Sequence, residues 1–140
     1  MLKATHPLTP HSLLGAASSL VRSVEYLVLN VKDVEVWGIA LLSAHALEII
    51  LKAFLVANGV TEDELIWRVG HNLDKAWREA SSRGLGISKD PSRWCNLLDG
   101  AHDSPYVLRY PPTNTGMVLP NLNDLSSNLR ELYELVKKSI

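Results

Sequence analysis

Hydrophobic positions fall into helical register along most of the chain. Leu13, Ala17, Leu20, Val24, Leu27 and Val31 alternate steps of four and three, with Leu14, Val21 and Val28 widening the stripe. That spacing lines one face of a helix and predicts a long amphipathic element capped by Ser12. A second helix is predicted from about Glu35 to Ala57, with Asn58-Gly59 as a left-handed stop. It is apolar nearly all round, so it belongs at the centre of the fold. A third follows Gly70, burying Leu73, Ala76, Trp77 and Ala80, and Ser81 to Gly86 end it. Pro91 suits the start of a fourth, with Trp94, Leu97 and Leu98 inward and Gly100 as its stop. The last begins near Asn121 or Asn123 and carries Leu122, Leu125, Leu129, Leu132 and Val136 on one side.

No stretch shows sustained strand alternation. The expectation is therefore an all-α, up-and-down helical bundle of four to five helices, forming one domain over residues 1–140. Residues 1–11 read as an N-terminal tether. Residues 101–120, AHDSPYVLRYPPTNTGMVLP, hold four prolines and no helical period. They predict a long Pro-rich loop before the last helix, of the kind that is functional or mobile.

Composition narrows the picture. With 140 residues and 46% hydrophobic content the chain can bury one core without metals or disulfides. A formal charge of -1 excludes a lysine-coated polyanion binder, so any nucleic-acid contact must be a local patch. Cys95 is the sole cysteine, which rules out an internal disulfide and suits a reducing cytoplasm. Leu13 to Val21 has the length of a signal-peptide core, but its stripe runs on past Arg22. Trp37 to Val56 could span a bilayer by length, yet Glu48 and Lys52 lie in its inner half, where lipid penalises charge. No membrane association is expected.

The segment SAHALEIILKAF sets His45, Glu48 and Lys52 three and then four residues apart, on one face of the second helix. Such a row is either a solvated or structural ion network, or a half-buried site whose other partners come from elsewhere in the chain. Groups of this kind cannot be buried unpaired without a cost of several kcal/mol. The partners available are His71, in GHNLDKAW, and Arg109 and Tyr110, in PYVLRYPP. His71 either caps the third helix beside Asn72 or faces the row. Arg109 either binds an anion, with aromatics to stack on a base, or pairs with Glu48 while Tyr106, Leu108 and Tyr110 plug the bundle. Carboxylate-bridged metal bundles repeat a glutamate-then-histidine motif, and His45 with Glu48 is a single copy in reverse order, so no metal site is expected. Gly84 and Gly86 read as a turn, and Cys95 as a small core residue.

HALEIILKAFLVANG, then GHNLDKAW, PYVLRYP and a last amphipathic helix resemble the HEPN superfamily of small helical proteins over roughly residues 13 to 138. The resemblance implies an up-and-down bundle, commonly a homodimer, in proteins tied to RNA cleavage, toxin–antitoxin pairs, phage defence or partnership with nucleotidyltransferases. Catalytic members carry an arginine, four to six intervening residues and a histidine on one helix. None of the seven arginines here has a histidine at that spacing, so no catalytic residue is transferred. The functional expectation is a cytoplasmic HEPN-like binding protein for RNA, a nucleotide or a partner protein, with no cofactor. Its candidate ligand-binding residues are His45, Glu48, Lys52, His71, Arg109 and Tyr110. The alternatives are a divergent metal-independent ribonuclease, drawing a histidine and an arginine from different elements, and a purely structural dimerising module.

Overall fold

The computed structural model of the protein describes residues 8–30, 36–103 and 118–140. Among them every regular element is a helix: α1 (Pro10–Leu29), α2 (Val36–Ala57), α3 (Glu62–Glu64), which runs into a π-helical turn (Leu65–Val69), α4 (Leu73–Ser82), α5 (Arg93–His102) and α6 (Leu122–Ser139). The all-helical expectation stands, with six helices among the described residues rather than four to five.

The extra element is the acidic segment after Gly59. Thr61 caps it, its hydroxyl accepting from the Glu64 amide, and one turn later the ladder widens into the π form. Leu65 and Val69 are buried there, but so short a segment has no periodicity to betray it. Two boundaries also move. α1 starts at Pro10, because Thr9 is the cap: its hydroxyl accepts from the Ser12 amide while the Ser12 hydroxyl accepts from the Thr9 amide. α5 continues through Gly100 to His102, so Ala101 and His102 are helical rather than part of the loop. Gly100 adopts no left-handed conformation, and packing of Cys95, Leu98, Ala101 and His102 carries the helix past it.

α2 is the hub, packing against α1, α4, α5 and α6, while α1 and α6 pack on each other. Its Ile39, Leu47, Ile50, Leu51 and Leu55 are fully buried, each worth about 2 kcal/mol of apolar transfer. α1 presents Leu14, Ala17, Val21, Val24 and Val28 to the core, leaving Leu13, Leu20 and Leu27 at the rim, a rotation of the expected stripe toward its flank. Arg130 of α6 forks across both carboxylate oxygens of Glu25 on α1, a clasp between helices far apart in sequence. α2 ends as expected: Gly59 takes φ +87°, and the Val60 amide reaches back to the Leu55 carbonyl.

α1 and α2 are each long and apolar enough to cross a membrane. The apolar window of α2 is 72% buried inside the fold, the pattern of a core helix, against 22% for α1.

Candidate functional site

Three segments converge on the middle of α2. Glu48 sits on the inward side of that helix between Leu47 and Leu51, so its carboxylate is drawn into the core. His45 and Lys52, one turn before and after, share its face at the edge of the fold. The π-helical turn closes with the Gly70 amide donating to the Leu65 carbonyl at 2.7 Å. Gly70 then takes φ +55° and ψ −127°, a conformation that side chains oppose. This reversal delivers His71 to α2 just before Asn72 caps α4, Asn72 Oδ1 accepting from the Lys75 amide. The third segment is the C-terminal turn of α5, which carries His102.

α4 and α5 are locked where they meet this site. The Leu73 amide donates to Asp99 Oδ1 at 2.7 Å, and Asn72 Nδ2 donates to Asp103 Oδ2 at 2.7 Å. His71 and His102 therefore come from backbones tied to each other on both sides. Their rings meet edge to face, 6.3 Å between centroids.

Glu48 is the common partner. Its Oε1 lies 2.8 Å from His71 Nδ1 and 3.3 Å from His102 Nε2. Its Oε2 faces Lys52 Nζ at 3.7 Å and His45 Nδ1 at 3.8 Å. Four nitrogen groups thus surround one carboxylate. Burial by itself would push the carboxyl up, but the hydrogen bond with His102, the Lys52 charge and the bond with His71 outweigh it and hold the group down at about 2. Glu48 is therefore ionised at neutral pH although only 5% of its side chain is exposed.

The ring of partners spans the boundary between core and solvent. His102 is buried, Lys52 is mostly covered, and His45 and His71 are about half exposed. With Nδ1 of His71 turned to Glu48, its tautomer is fixed and the opposite edge of the ring is left for the solvent side. His102 Nδ1 is buried with no hydrogen-bond partner among the described residues. A carboxylate that orients a half-exposed imidazole, beside an ammonium, can bind an anion or relay a proton. Cys95 of α5 is different: burial pushes its thiol up to about 12, which makes it inert as a nucleophile.

Of the residues singled out in the sequence, His45, Glu48, Lys52 and His71 do come together, and His71 faces the row while Asn72 does the capping. Arg109 and Tyr110 lie outside the described residues, as do the expected Arg109–Glu48 pair and the plug of Tyr106 and Leu108. Sequence reasoning missed His102, because Gly100 was read as the end of α5. The signal was present in Cys95, Leu98 and His102, which fall on one helical face at steps of three and four. A separate groove of about 750 Å³ runs along α1, lined by Gly15, Ser18, Ser19, Arg22, Tyr26 and Leu42 among others, and shares no residue with the Glu48 cluster.

No family model, curated protein or solved structure matches the chain.

Proposed function

We propose that this chain is a HEPN-like, non-membrane bundle of the cytoplasm, with its helices running up and down. In this reading His45, Lys52 and His71 bind the phosphate of an RNA or nucleotide. The observation that carries the proposal is the seating of His71: a buried, ionised Glu48 holds its Nδ1 at 2.8 Å, with Lys52 and His45 on the other carboxylate oxygen. Glu48 and Lys52 cancel in charge, which leaves the two half-exposed imidazoles at the mouth to meet the anion. Phosphate binding should weaken with salt as expected for a local cationic patch. The HEPN resemblance adds homodimerisation and a role beside a partner protein, such as a nucleotidyltransferase, in a toxin–antitoxin, defence or regulatory system.

A second reading, a metal-independent ribonuclease, draws on the same carboxylate–imidazole pair. An imidazole with one nitrogen fixed is poised for general acid–base work, and Lys52 is the nearest fixed cation among the described residues. The expected arginine, Arg109, is outside them.

Fluorescence anisotropy with a labelled single-stranded RNA and with a labelled nucleotide tests the first reading. Saturable binding should weaken by about tenfold or more in both His71→Ala and Lys52→Ala, a loss of about 1.4 kcal/mol. No binding at low salt, or binding unaffected by both substitutions, contradicts it. Incubating the RNA in EDTA tests the second: cleavage that disappears in His71→Ala supports an enzyme, and intact RNA contradicts one.

A further inference from the structure

Glu48, His71 and His102 each offer one donor atom, and all three atoms lie within 4.8 Å of one another. They come from α2, from the turn before α4 and from the end of α5, so their meeting is a product of the tertiary fold. We propose that they form a binding site for a divalent transition metal of the zinc class, with Glu48 Oε1, His71 Nδ1 and His102 Nε2 as its protein ligands.

The donor chemistry chooses the ion. Two imidazole nitrogens and one carboxylate oxygen suit zinc, cobalt or nickel; magnesium and calcium prefer shells made of oxygen. Three protein ligands leave the remaining position to water or to an exogenous ligand, the arrangement of an open rather than a closed site. Two of the three donor spacings also come close to what such an ion needs, and the third lies within 4.8 Å. Metal–ligand bonds of about 2.0–2.1 Å in a tetrahedron set neighbouring donors about 3.4 Å apart. Glu48 Oε1 is 3.3 Å from His102 Nε2, already at that spacing, and 2.8 Å from His71 Nδ1. A small rotation of His71 opens the shorter edge, and its ring is half exposed and free to make it.

Loading also sets the protonation states. The carboxylate is ionised at neutral pH, so no proton has to leave it. Metal binding requires each neutral imidazole to change tautomer: the proton now presented to Oε1 leaves that nitrogen and is carried on the opposite ring nitrogen, so that the freed lone pair meets the ion. For His71 that nitrogen faces the solvent side. For His102 it is Nδ1, which is buried with no hydrogen-bond partner among the described residues. Around these ligands stand Lys52 on the distal carboxylate oxygen and the Asn72–Asp103 and Leu73–Asp99 bonds, which hold the two histidine-bearing backbones in place. The half-exposed His71 gives the ion its way in.

Calorimetric titration of chelator-treated protein with zinc chloride, in the absence of RNA or nucleotide, tests this site independently of the phosphate-binding reading. One zinc per chain should bind and raise the unfolding temperature, while magnesium at the same concentration does neither. His71→Ala, which removes the most exposed ligand and should fold normally by circular dichroism, should weaken zinc binding by about tenfold or more. His102→Gln should do the same, and Lys137→Ala, an exposed change in the last turn of α6, should leave it intact. Absence of a zinc-dependent heat and temperature shift overturns the proposal, and so does zinc binding that survives both histidine substitutions.

Discussion

At the scale of single residues, Glu48 decides the account. A carboxylate taken from water into a core is expected to become protonated unless its partners make up for the loss of hydration. Here His102, Lys52 and His71 do so, and the charge remains. Glu48→Ala leaves the buried His102 and the largely covered Lys52 without their shared partner, and should destabilise the fold by about 3 kcal/mol in chemical denaturation. Glu48→Gln keeps a neutral acceptor and should lose only about half of that. Equal effects of the two substitutions would mean that charge plays no part. The row itself was readable in the sequence, because a histidine, a carboxylate and an amine at helical spacing stand out from an apolar helix. Which of them would be buried was not readable, since that depends on what packs against Ala44, Leu47 and Leu51.

At the scale of elements, two glycines with opposite meanings explain what the sequence disclosed and what it hid. Asn58-Gly59 and the apolar stripes of α1, α4 and α6 are strong local signals, and those helices form there, α1 with an earlier start and a rotated buried face. Gly100 carries the same punctuation but lies within α5, where neighbouring apolar contacts override its weak preference. His102 was hidden behind it. Gly70 is the reverse case: its left-handed backbone is required to bring His71 to Glu48. Gly70→Ala should therefore cost about 1–3 kcal/mol. Gly100→Ala, whose added methyl meets nothing within 4 Å, should be neutral or stabilise by up to about 1 kcal/mol. Paired urea denaturation curves distinguish them, and a ranking in the opposite order would contradict this description of both turns.

At the scale of the whole molecule, the near-balanced charge conceals a concentrated one. A formal net charge of -1 says little about binding, while the fold gathers three imidazoles and an ammonium around a single carboxylate. That arrangement links stability to acid. Glu48 is held below its ordinary value of 4.5, so its contribution is fully present above that pH and is withdrawn as pH falls toward about 2. The shift corresponds to on the order of 3 kcal/mol. Asp99 works in the opposite sense: burial raises its carboxyl, so acid returns part of what its ionised form costs. Glu48 dominates, and the protein should lose stability steeply below about pH 4.

The most direct measurement follows the side-chain carboxyl carbon of Glu48 by nuclear magnetic resonance as the folded protein is acidified, with Glu48→Gln to assign the signal. The buried, partner-held carboxylate should remain ionised through pH 4 and titrate only near 2 or with unfolding. A titration centred near 4.5 in the folded protein would show an ordinary surface carboxyl and contradict the proposed hub.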